Sequence, residues 1–98
     1  MEYELDPRWM LELLKATKKN GEKPIGDTSF DLSVFAESVF PDLAPREAYD
    51  TFFYSIRETR RKGWTERRPT LSREEYQGEI LTADGELILA ALKAKYHE

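Results

Sequence analysis

Residues 44–85 read APREAYDTFFYSIRETRRKGWTERRPTLSREEYQGEILTADG, and the order of signals in this stretch decides the fold. Between residues 45 and 62 the apolar side chains Ala48, Tyr49, Phe52, Phe53 and Ile56 recur three and four apart, which predicts a helix with those residues on its core face. Pro45 suits the first helical position and Gly63 the C-terminal cap. Trp64 then returns the chain to the core. Two extended segments, 64–70 and 76–81, flank the turn LSREE, and Pro69 fits the end of an edge strand. Thr82 caps a last helix, from Ala83 to about Tyr96, with Asp84 in its first turn. Leu87, Ile88, Ala91 and Leu92 are its expected apolar face.

The same stretch carries a charge anomaly. Arg57, Arg60, Arg61, Lys62, Arg67, Arg68 and Arg73 face only Glu58 and Glu66 between residues 51 and 73. That segment is therefore +5 in a chain whose net charge is −4, and the remainder carries −9. A concentrated basic face on an acidic domain suits an anionic partner, because charges act locally within a Debye length of about 8 Å. Nucleic acid is the foremost reading. An acidic protein partner is the second, and a solvated face paired with Glu58, Glu66, Glu74 and Glu75 is the third.

Upstream, Asp6 and Pro7 start a first helix. Trp9, Met10, Leu13, Leu14 and Thr17 form its stripe, and Asn20-Gly21 ends it. Tyr3 and Leu5 alternate with acids in a short extended arm. The connector GEKPIGDTS, residues 21–29, has Ile25 as its only apolar anchor; it lacks the Gly-Lys-Ser/Thr ending of a phosphate loop. Asp31 caps a second helix with Leu32, Phe35, Ala36, Val39 and Phe40 on one face. Pro41-Asp42 stops it and Leu43 plugs the turn. Helix, short turn, helix is the outline of a helix-turn-helix.

The whole is one domain over residues 1–98, α+β and mostly helical: a three-helix helix-turn-helix core, a two-stranded β-hairpin and a C-terminal helix. Mean hydropathy is −0.68, and no apolar run approaches the roughly 20 residues that span a bilayer. With no cysteine, disulfides, thiolate catalysis and thiolate-bound metals are excluded. The cysteine-free, leaderless N-terminus fits a cytoplasmic protein. His97, the only histidine, is penultimate and lacks the fixed partner a catalytic base needs. No serine has a base in a recognisable arrangement and no carboxylates form a selected pair. The chain is read as no enzyme, with no catalytic residue, metal site or cofactor.

The strings IRETRRKGWTERRP and EILTADGELILAAL, in this order after a helix-turn-helix, resemble the MarR/PadR-like winged-helix transcriptional regulators. IRETRRKGWTERRP resembles the exit of the recognition helix and the first wing strand. EILTADGELILAAL is similar to the other wing strand and the helix after it. With residues 32–56 the resemblance covers about two-thirds of the chain. It implies a DNA-binding regulator of a microbial or viral type, its third helix in the major groove and its wing on the backbone or minor groove of double-stranded DNA. Carried over by position, Arg46, Asp50, Thr51 and Tyr54 would face the bases, beside Glu47. Arg57, Arg60, Arg61, Arg67 and Arg68 would hold phosphates, and Arg73 falls on or beside the wing. It also implies a two-fold homodimer through the terminal helices. The sequence departs from the pattern in a turn about two residues longer than the tightest units and in Glu47 and Asp50, acids that face a polyanion. Those departures keep open the alternative of a winged-helix protein-interaction module, an adaptor or inhibitor docking an acidic protein.

Overall fold

The computed structural model describes residues 6–24, 30–70 and 75–98. The arm at Tyr3 and Leu5, the anchor Ile25 and the wing residue Arg73 lie outside them. The elements run α1 (Pro7–Gly21), α2 (Leu32–Val39), α3 (Pro45–Arg61), β1 (Thr65–Arg67), β2 (Glu79–Leu81) and α4 (Ala83–Lys95). The fold is α+β and mostly helical, with a helix-turn-helix core, an antiparallel β-hairpin and a C-terminal helix, in the expected order.

Local chemistry fixes the boundaries. The Asp6 carboxylate accepts from the Arg8 amide at 2.8 Å, and Asp31 accepts from Ser33 and Val34 at 3.0 and 3.2 Å. The Thr82 hydroxyl oxygen accepts from the Gly85 amide at 3.1 Å. Each satisfies amides that the first helical turn leaves without partners. At the end of α3, Gly63 has φ +77. Its amide donates to the Arg60 carbonyl at 3.0 Å, and that of Trp64 to Thr59 at 2.9 Å. This double bond pattern closes a helix through a left-handed residue, where glycine avoids the Cβ penalty.

One cluster of buried residues unites the helices. Leu11, Leu13, Leu14, Ala36, Ala48 and Phe52 are fully excluded from water, with Phe40 and Leu89 nearly so. Trp9 packs edge-on against Phe40, ring centres 5.5 Å apart, and Phe35 against Phe52 at the same distance. Both tryptophans serve the core at its margin, as their spacing predicts. α1 is the hub, in contact with α2, α4 and β2. Because partners cover it on more than one side, Leu11 is fully buried although it stands outside the expected stripe.

Three expectations need correction. Tyr49 and Phe53, read as core, are exposed. The buried face of α3 is Ala48, Phe52, Ser55, Ile56 and Thr59. Ser55 and Thr59 tolerate burial because their hydroxyls donate to the Thr51 and Ile56 carbonyls at 2.6 and 3.0 Å, so no polar atom there is left unsatisfied. On α4 the face is Gly85, Ile88, Leu89 and Leu92, and Leu87 is 69% exposed. The strands pair over only three residues each, Thr65 with Leu81, Glu66 with Ile80 and Arg67 with Glu79. Among the described residues no helix is long and apolar enough to cross a membrane.

Candidate nucleic-acid interface

The outward face of α3 follows from its buried one. With Ala48, Phe52, Ser55 and Thr59 inward, a helix of 3.6 residues per turn turns Arg46, Asp50, Phe53, Tyr54, Arg57 and Arg61 outward. All six are exposed. Glu47 is exposed as well, whereas Thr51 is half-buried and its carbonyl accepts from Ser55. Arg46, Tyr49 and Asp50 line one wall of an open groove of about 460 Å³, whose other wall is Ser33 and Glu37 of α2. Four of the expected base-facing positions thus lie on one helix, three of them on its exposed side.

The expected phosphate-holding arginines separate into two groups. Arg57 is exposed, and Arg61 is exposed with an ion pair to Glu58 at 2.7 Å. Arg67 is exposed on β1, where it donates to the Glu75 carbonyl at 2.6 Å and lies over the Tyr76 ring at 5.9 Å. Lys62 sits over the Trp64 ring at 4.7 Å.

Arg60 and Arg68 are tied into the fold, Arg68 buried and Arg60 with 45% of its side chain still exposed. Arg60 makes a two-pronged bond to Glu79, Nε to Oε1 and a terminal nitrogen to Oε2, both at 2.6 Å. The Glu79 side chain is almost fully buried, and the Tyr76 hydroxyl also donates to it, at 2.9 Å. A buried carboxylate needs such partners, and a guanidinium fork supplies two of them in one plane. Arg68 is 6% exposed, and its terminal nitrogens donate to the Asn20 and Lys23 carbonyls at the end of α1. Asn20 answers with a bond from its amide nitrogen to the Gln77 carbonyl at 2.7 Å. Both arginines therefore clamp the hairpin, Arg60 to α3 and Arg68 to α1. With both terminal nitrogens bonded inside the protein and 6% of the residue exposed, Arg68 presents little of its guanidinium to a phosphate in this arrangement.

Nothing in the sequence marks Arg60 and Arg68 off from their neighbours by type. Strand alternation puts Arg68 on the same side as the exposed Glu66, yet β1 ends at Arg67 and Arg68 is buried, its amide donating to the Gly78 carbonyl at 3.0 Å. Glu79 is likewise a lone acid in the apolar string EIL, where a surface residue would be read first.

The Tyr76–Glu79–Arg60 cluster has a pH signature. Burial pushes the Tyr76 hydroxyl above its ordinary value, the Glu79 charge acts the same way, and Arg60 opposes them. A raised pKa in the folded state favours the protonated phenol. Its stabilisation is complete below the unfolded value of about 10 and is lost as pH rises from there. Phenolate absorbance near 295 nm should therefore show one tyrosine that ionises only as the protein unfolds. In Tyr76→Phe that late step should vanish, and stability should fall less steeply between pH 9.5 and 11 (roughly the window above the unfolded pKa). Simultaneous ionisation of every tyrosine in a folded protein would contradict the burial of Tyr76.

Comparison of the chain with protein-family models, with curated proteins and with solved structures gives no match.

Proposed function

We propose that this protein is a small, cytoplasmic winged-helix DNA-binding protein that acts as a transcriptional regulator, with α3 in the major groove and the hairpin on the backbone. The observation that carries the reading is the exposed run of cations along the outer side of α3 and into β1: Arg46, Arg57, Arg61 and Arg67. Lysine and arginine side chains that neutralise phosphates release counterions, which supplies most of the sequence-independent affinity. Among the described residues the outer side of α3 is exposed, as insertion in a groove about 12 Å wide requires. Arg68 is buried, so in this reading the phosphate grip rests on Arg57, Arg61 and Arg67, with Arg60, tied to Glu79 but 45% exposed at its side chain, beside them.

Titration with duplex DNA at several salt concentrations tests this. Affinity should fall linearly on logarithmic axes, and replacing both Arg57 and Arg67 by Ala should weaken binding to all sequences alike and reduce the slope by about 2. No binding at about 50 mM salt, or binding indifferent to salt, would sink the proposal.

A second reading, a module docking an acidic protein, draws on the exposed rings of Tyr49, Phe53 and Tyr54 beside Arg46. Aromatic and arginine side chains are enriched where protein interfaces carry their affinity. The failed DNA titration would leave this reading standing.

A further inference from the structure

We infer that Phe53 is a specificity-determining residue that selects thymine at the centre of the DNA site by contact with its 5-methyl group. The inference rests on the DNA-binding reading above and deepens it.

Phe53 is 44% exposed on the outer side of α3, among Arg46, Asp50, Arg57 and the exposed rings of Tyr49 and Tyr54, and its ring alone carries no hydroxyl. The ring is braced and not loose. Tyr49, 37% exposed, packs against it at 4.8 Å between ring centres, and the fully buried Phe52 packs at 6.0 Å with an interplanar angle of 80°. Two neighbours therefore hold one side of the ring while the rest points outward. Such a rigid apolar surface loses little conformational entropy when something covers it.

The position of the ring along α3 identifies what covers it. Arg46 and Arg57 lie eleven residues apart, about 16 Å along the helix at 1.5 Å per residue. With α3 seated in the major groove, Arg46 at its front over the bases and Arg57 further along on the backbone, outward residues between them lie over base edges. Phe53 is the apolar residue of that central segment on the outer face. Base edges on the major-groove floor present amino, carbonyl and ring-nitrogen groups, and thymine alone adds a methyl. A phenyl ring set on any other base would strip water from polar atoms without replacing their hydrogen bonds. On a thymine methyl it buries apolar surface against apolar surface.

Alternating copolymers test this without knowledge of the natural site. Poly(dA-dT) and poly(dA-dU) duplexes carry the same charge and the same base pairs and differ at the methyl. Each methyl buried should be worth about fourfold in affinity, so with one methyl under the Phe53 ring the unaltered protein should prefer the thymine polymer about fourfold. In Phe53→Ala the preference should shrink to about twofold or less while the salt slope stays unchanged. The position is exposed, so the variant should fold, which far-ultraviolet circular dichroism checks; the uracil arm needs no variant at all. Equal affinity of the unaltered protein for both polymers overturns the thymine assignment and leaves DNA binding intact. A preference that persists in Phe53→Ala overturns the assignment to Phe53. Failure to bind any duplex overturns the DNA-binding reading itself, and the inference with it.

Discussion

Gly85→Ala should be strongly damaging, lowering stability by about 4 kcal/mol or more and the melting temperature by about 20 °C. A Cβ built on Gly85 would stand 2.0 Å from the Trp64 carbonyl oxygen and 3.0 Å from its carbonyl carbon. Both atoms are backbone, so no rotamer change relieves the overlap. That oxygen is also anchored, since it accepts from the Thr82 amide at 3.1 Å, and the Thr82 hydroxyl donates to the neighbouring Gly63 carbonyl. α4 would have to retreat from the turn that ends α3, breaking its own cap and withdrawing Leu89 from the core. Alanine's higher helix propensity returns only about 1 kcal/mol. Gly21→Ala is the control. There the added carbon would meet the Ile80 side chain at 3.2 Å, a neighbour able to yield, and the change should stay within about 1 kcal/mol of neutral. Thermal or urea unfolding of the two variants side by side checks the contrast, and similar stability in both would refute the close approach of α4 to Trp64.

The second large effect belongs to Arg68. Arg68→Ala should cost about 3 kcal/mol, through the loss of two charge-assisted bonds and the exposure of a poorly filled site at the end of α1. Arg68→Lys should recover little of it, because an ammonium cannot reproduce a fork that spans the Asn20 and Lys23 carbonyls. Arg67→Ala, one residue away, should be within about 0.5 kcal/mol of neutral in stability, as surface substitutions usually are. The pair separates the two roles in one experiment. Unfolding midpoints should move for Arg68 and not for Arg67, and DNA affinity of the still-folded fraction should fall for Arg67. If Arg68→Ala unfolds like the unaltered protein yet loses DNA binding, the clamp on α1 is not the role of this side chain.

The ion pairs from α1 to the C-terminal region, Lys18 with Glu86 of α4 at 3.0 Å and Lys15 with Glu98 beyond it at 2.5 Å, should matter far less. Solvent screening and the entropy of holding two long side chains leave such pairs little net effect. The stability of the hairpin depends instead on buried polar ties, because two strands of three residues cannot hold themselves.

Most element boundaries were legible in the chain. Asp6, Asp31 and Thr82 cap helices because their side-chain oxygens satisfy amides of the next turn, and Gly63 ends one because it adopts a left-handed backbone. These are contacts between residues a few positions apart, so local sequence determined them, together with the element order and the position of the helix-turn-helix. Rotational phase was not legible to the same degree. Ser55 and Thr59 are solvent-facing by type, yet they bond back to their own helix and go inside, which turns Tyr49 and Phe53 out. The string LILAAL is apolar on every side, and the packing of α4 on α1 and β2, with Gly85 close against Trp64, decides that Leu89 faces in and Leu87 out. The sequence by itself also determined the excess of positive charge between residues 51 and 73. Tertiary structure decided its division: Glu79, Asn20 and Lys23, distant along the chain, meet Arg60 and Arg68, because burying polar groups requires partners and the fold brings those partners together.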